Sequence, residues 1–220
     1  MLSVPTLWTV FVINFLALGL IWAYVMRSYP AFEAARFWTA SAFTAAGGAA
    51  VAMLHFIADS RAPLLAGGTV LIFAACLAAM GIKRFYGEPV SWRTSVAITG
   101  LSFAGMAFFI VGYNSLPMRI LVYSLGQSVP LALTLKLLLA RQEGRENPGA
   151  RLAGIVAILI ISLYAVRTVA AMLHSGADFA IFQSNPLQWV LVLTLIFLSM
   201  SLNFGFLLMA MDRLRNEVAD

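Results

Sequence analysis

The chain alternates between long apolar runs and short polar breaks. Seven runs lie near Val4–Met26, Phe37–Ala58, Pro63–Ile82, Ser95–Tyr113, Pro117–Ala140, Leu152–Leu173 and Pro186–Met209. A helix needs about 20 residues, at 1.5 Å rise each, to cross about 30 Å of hydrocarbon, and each run meets that length. No run alternates with the period of two that a barrel strand would show. Lipid offers no hydrogen-bond partner to bare backbone, so each run must be helical. The pattern predicts an all-α polytopic bundle of seven transmembrane helices. The first run lacks a basic start and is too long for the apolar segment of a leader, so it reads as a span rather than a cleaved signal.

Composition narrows the class. Of 220 residues, 62% are hydrophobic and 10% charged, against about 25% charged in an ordinary soluble domain. That excludes a soluble globular fold and disorder alike. Cys76 is the only cysteine, which excludes a disulfide scaffold.

The net charge of +5 could suggest nucleic acid, but the cations sit beside the spans, where they set topology. Arg27, Arg36, Lys83, Arg84, Arg93, Lys136, Arg141, Arg145, Arg151, Arg213 and Arg215 fall on one side. Only Arg61 and Arg119 fall on the other, and Arg167 lies within a span. By the positive-inside rule the N-terminus is outside and the C-terminus cytoplasmic. The expected partner is the lipid bilayer, with no nucleic acid, and compact loops suggest a bacterial inner (cytoplasmic) membrane. Three hairpins follow the first span, and their second helices open near Pro63, Pro117 and Pro186, where proline's missing donor is harmless.

No catalytic motif is present: no phosphate-cradling glycine loop, metal-protease helix or nucleophile elbow occurs. The expectation is therefore a non-enzyme. Arg167 is the most informative residue, because an arginine in a span costs about 3 kcal/mol on insertion scales. It should face the bundle interior, water or the interface. Tyr164, Arg167, Ala171 and His174 are spaced 3, 4 and 3, which puts them on one helix face. Together with His55, Asn114 and Arg119 they form a candidate outer layer for an anion or headgroup. His55 and His174 alone are too few for a metal or haem; Asp59 or Asp178 would have to help. No cofactor is expected. Asn14, Tyr123 and Gln127 read as polar glue between helices, and small residues four apart in the second run read as close-packing faces.

Lys136 should snorkel to the headgroups. The last run lacks a lysine, which removes the usual retinal anchor, and no span carries a buried carboxylate of the kind coupled transporters need. Residues 1–210 read as the transmembrane domain. Residues 207–220 read as a cytoplasmic extension of the last helix, with an a/d seam at Leu207, Met211, Leu214 and Val218. Such a helix suggests a homodimer contact or a domain that follows Asp220. The connection 174–185 reads as an outer lid, a segment lying flat on the membrane interface, or a plain surface loop.

Three stretches carry a resemblance: G-I-K-R-F-Y-G-E-P at Gly81–Pro89, the Arg167 helix, and N-F-G-F-L-L-M-A-M-D-R-L-R-N-E-V-A-D at Asn203–Asp220. Through them the whole chain resembles the N-terminal multispanning sensor region of bacterial diguanylate cyclases, the GGDEF proteins. Similar regions precede histidine kinases. The chain has no GG(D/E)EF sequence, so nothing catalytic carries over. The resemblance implies a sensory input module that relays a stimulus through its last helix to a cytoplasmic output. The rival readings are an assembly subunit of a membrane complex and, behind it, a small transporter.

Overall fold

The computed structural model describes residues 4–58, 60–140, 147–173 and 186–219. Among them it holds no strand. Its helices are α1 (Val4–Ser28), α2 (Ala34–Met53), α3 (Ala62–Phe85), α4 (Trp92–Val111), α5 (Leu116–Leu139), α6 (Pro148–Leu173) and α7 (Pro186–Ala219). All seven are long and apolar enough to cross a membrane. A 3₁₀ turn at Leu54–Phe56 continues α2.

Local chemistry explains several ends. Ser91 has extended backbone before α4, and its Oγ accepts from the Thr94 amide, an N-cap. The Asn147 Oδ1 accepts from the Ala150 amide at 3.0 Å, so α6 opens at Pro148, earlier than the apolar run alone suggests. Pro63 and Pro117 sit in the first turns of α3 and α5, and Pro186 opens α7. Gly87, at φ 75°, lets the chain turn sharply after α3.

The helices form a ring. In order around it, α1 packs on α2, α2 on α3, α3 on α5, α5 on α6 and α6 on α7, while α7 touches α1 only lightly. Helix α4 lies over the seam between α3 and α5. Glycines set the closest joints. A Cβ at Gly67 would meet the Gly48 carbonyl at 2.5 Å, and one at Gly149 would meet the Met209 amide at 2.5 Å. Thus α2–α3 and α6–α7 are two tightly joined pairs, as small residues permit where lipid gives no hydrophobic drive.

The packed core is uneven. At the end bearing Arg27, Arg84 and Arg213, here the basic end, Trp22, Phe32, Trp38, Phe85 and Phe206 fill the ring. A second cluster, through Phe15, Ala49 and Leu71, joins α1, α2 and α3 farther along, and toward the opposite end a small one of Ile120, Ala171 and Leu191 joins α5, α6 and α7.

Candidate functional site

Between the two helix pairs lies a cavity of about 630 Å³. Its floor is at the basic end, where Trp38 of α2 stacks on Phe206 of α7 with ring centroids 4.9 Å apart and planes 6° apart. From there it runs up the ring to His55, Arg61 and Arg119.

Three helices, α5, α6 and α7, line one side of it, each by its own register, and Ser41, His55 and Arg61 add polar groups from the α2–α3 side. On α5, Arg119, Tyr123 and Gln127 follow one another at four-residue steps and all line the cavity, with Leu131 next below. On α6, Ile160, Tyr164 and Arg167 line it. On α7, Val192, Ile196, Ser199, Asn203 and Phe206 line it at alternating steps of four and three, the stripe of one helix face. Helix α1 closes the apolar side with Trp8, Phe11 and Phe15.

Arg167 is buried, 3% exposed, within a membrane span. Its Nε finds no hydrogen-bond partner. Its electrostatic neighbours are the phenols of Tyr164 and Tyr123, whose rings meet at 6.3 Å, edge to face. The Tyr123 hydroxyl also accepts from Gln127 Nε2 at 3.1 Å. Phenol oxygens can accept from a guanidinium but carry no full negative charge at neutral pH. Among the described residues no Asp or Glu lines the cavity, and the ion pair of Glu33 with Arg84 is at the basic end.

At the mouth two further cations converge. Arg61 donates to the Asn114 Oδ1 at 2.9 Å, and Arg119 donates to the same oxygen at 3.4 Å. Arg119 also donates to the Ser115 carbonyl at 3.4 Å. One neutral amide oxygen thus gathers two guanidiniums that repel one another. His55 Nδ1 faces the Ser60 carbonyl at 2.6 Å, which makes that nitrogen the donor. The wall therefore presents three arginines, an imidazole and two phenols around a space bounded below by aromatic rings.

Of the residues singled out in the sequence, Arg167, Tyr164, His55 and Arg119 line this one cavity. Asn114 stands behind it as the bridge between Arg61 and Arg119. His174 lies outside the described residues, as do Asp59, Asp178 and the connection 174–185. No group of three or more His, Cys, Asp or Glu side chains suited to a metal occurs among the described residues. Sequence reasoning took Tyr123 and Gln127 for glue between helices and Arg61 for a topology charge, and it passed over Ser199 and Asn203. The α5 ladder of polar residues four apart, continuous with a mouth arginine, was the signal that could have found Tyr123 and Gln127.

The seam residues divide. Leu207 is half-buried against the basic-end core, Leu214 is half-buried, and Met211 points outward, 65% exposed. The Val218 side chain lies outside the described residues. The outward apolar row of α7 is Phe197, Phe204, Leu208 and Met211. Just beyond, Arg213 reaches back. Its Nη1 donates to the Phe85 carbonyl at 2.8 Å, and its guanidinium lies over the Phe85 and Phe32 rings at 5.5 and 5.8 Å.

No family model matches this chain, and neither does any curated protein or solved structure.

Proposed function

We propose that this chain is a membrane-embedded sensory input module. An occupant of the cavity bears on α7, and α7 passes the change to a cytoplasmic output. One observation carries the reading: the helix that lines the cavity with a continuous stripe, Val192 to Phe206, is also the one that runs unbroken to Ala219. The resemblance to the input regions of diguanylate cyclases points the same way. In this reading the N-terminus is outside, the basic end faces the cytoplasm, and the membrane is a bacterial inner membrane. A homodimer through the outward row of α7 would convert helix movement into altered output geometry.

The contacts suit such a relay. Helix α7 is joined closely to α6, touches α1 lightly, and meets α2 and α3 through two defined contacts. These are the Trp38–Phe206 stack and the Arg213 reach to Phe85. A ligand moves α7 only if it binds one arrangement better than the other; shifting 1:99 to 99:1 takes about 5.5 kcal/mol of differential binding. An assembly subunit has less support. The small-residue faces it would offer a partner, at Gly48 and Gly67, are used between α2 and α3.

The test fills the cavity by mutation. Ser199→Trp, with spin labels at Glu88→Cys and Arg215→Cys in a Cys76→Ser background, should change the label–label distance across the basic end. A reporter fused after Asp220 should change output with it. Arg167→Ala should abolish the response to a cavity ligand while the protein still inserts. An unchanged distance together with unchanged reporter output would remove the relay reading.

A further inference from the structure

The shape and charge of the cavity say what kind of molecule suits it. The α5 side runs from Arg119 to Leu131 and the α7 side from Val192 to Phe206, which at 1.5 Å per residue is a depth of about 20 Å. That is about two-thirds of the hydrocarbon thickness. A volume of about 630 Å³ spread over about 20 Å has a cross-section of about 30 Å². That is room for one extended hydrocarbon chain. The total falls in the range of about 300–1,000 Å³ for sites that enclose a single small molecule.

The polarity is graded along that length. The cations Arg61, Arg119 and Arg167 occupy the upper part, and the lower part is lined by Leu131, Ile160, Leu202, Trp38 and Phe206, with Ser41 and Asn203 the polar groups among them, each already donating to a backbone carbonyl. Arg167 is a buried guanidinium with an unpartnered Nε and no facing carboxylate among the described residues. An uncompensated buried cation is costly, and Arg61 and Arg119 repel across Asn114. One anion among them would relieve both, and guanidiniums favour carboxylate and phosphate oxygens. The light α1–α7 joint, with Trp8, Phe11 and Phe15 on its inner side, offers an apolar route from the bilayer.

We propose that the cavity binds a single-chain anionic amphiphile, a carboxylate or phosphate head on one long hydrocarbon chain. The head sits among Arg61, Arg119 and Arg167, and the chain reaches toward the Trp38–Phe206 floor. This rests on the sensor reading only for its consequence, since the chain would then touch α7. Two sources share this chemistry: a free single-chain acid, and an anionic two-chain bilayer lipid that inserts one chain.

The test uses the full chain in vesicles of dioleoylphosphatidylcholine, with 9,10-dibromostearate as the probe. Bromine quenches tryptophan on contact, and Trp8 and Trp38 line the cavity. We expect a saturable quenching component that Trp38→Phe reduces and that Trp8→Phe with Trp38→Phe removes. Palmitate and dodecyl phosphate should compete with it; dodecyltrimethylammonium and inorganic phosphate should not. Arg119→Gln, at the half-exposed mouth where folding is least at stake, should weaken binding about tenfold or more, as expected for a lost charged hydrogen bond. Arg61→Gln should act in the same direction.

Absence of a saturable component overturns the proposal. Equal competition by the cationic chain overturns the anionic head, and displacement by inorganic phosphate overturns the chain. Dioleoylphosphatidylglycerol added to the vesicles decides the source: no competition supports a free single-chain acid, and strong competition overturns it in favour of bilayer lipid. Probe binding with no change in the Glu88–Arg215 label distance or in reporter output keeps this proposal and sinks the relay. A distance change in Ser199→Trp without probe binding does the reverse.

Discussion

The two ends of the ring hold their helices together in opposite ways. At the basic end, Trp22 meets Trp38 at 4.7 Å, Trp38 stacks on Phe206, and Phe32 meets Phe85 edge to face at 6.1 Å. The space is filled, and α2, α3 and α7 are tied together there. At the other end, Arg61, Arg119 and Arg167 surround a void; α2 and α3 stay joined to each other there at Gly48 and Gly67, but across the void α5, α6 and α7 share only the small buried cluster of Ile120, Ala171 and Leu191 among the described residues. In a bilayer, packing contacts carry most of the association energy because lipid is as apolar as the core. The filled end is therefore the fixed reference, and the open end is where an occupant can change the spacing of the helices.

The largest expected effect tests that contrast directly. Trp38 is 1% exposed, so Trp38→Ala should cost about 3–5 kcal/mol, read as reversible unfolding in mixed micelles. Leu64→Ala, on the half-buried cavity wall, should cost under about 1 kcal/mol, because the void it borders already lacks partner atoms. Equal losses at the two sites would break the comparison.

The α2–α3 joint comes next. Any side chain at Gly67 drives a Cβ to 2.5 Å from the Gly48 carbonyl and 2.6 Å from the Ala52 amide, and both are backbone atoms that cannot swing aside. Gly67→Ala should destabilise by about 1–3 kcal/mol. Gly47→Ala, where a Cβ meets nothing within 4 Å, should be neutral or stabilising by up to about 1 kcal/mol. The same unfolding measurement separates them.

Much of this was legible in the chain, for identifiable reasons. A span's length and apolarity are local properties, so all seven helices could be read from runs of residues, their ends shifting where Asn147 or Ser91 supplied a cap. Arg167 stood out because a cation inside an apolar run is visible from the run alone. Its companions did not. Tyr123 and Gln127 looked like helix glue, and one does bond the other, but it is the placement of α5 opposite α7 that turns them into a wall. The ring order, with α3 beside α5 and α4 outside, depends on long-range packing and leaves no local mark. The α7 seam shows the same limit: spacing grouped Leu207 with Met211, yet the bundle covers one and leaves the other exposed.

The Arg213 reach should give a smaller effect. It combines a hydrogen bond to the Phe85 carbonyl with contacts over two rings. Exposed cation–π contacts are worth about 0.5–1 kcal/mol and a net hydrogen bond about 1 kcal/mol. Arg213→Gln should cost about 1–2 kcal/mol in stability, with a larger readout in position: the Glu88–Arg215 label distribution should broaden. Arg213→Lys should recover little, since an ammonium lacks the planar fork that spans carbonyl and ring together. Full recovery by lysine would mean that charge alone holds α7 to the basic end.

The smallest effect belongs to the Glu33–Arg84 pair, which ties the turn before α2 to the end of α3. Their side chains are 46% and 41% exposed, so water and salt screen the pair, and surface pairs of this kind contribute about 0–1 kcal/mol. Glu33→Gln should lower stability by no more than that at low salt. At about 1 M salt, where the screening length falls to about 3 Å, wild type and variant should unfold together. The aromatic cluster beside them is uncharged and should hold through the same titration. A salt-insensitive loss larger than the Trp38→Ala loss would place the grip of the basic end in its charges and overturn the view that packed rings make it the fixed reference.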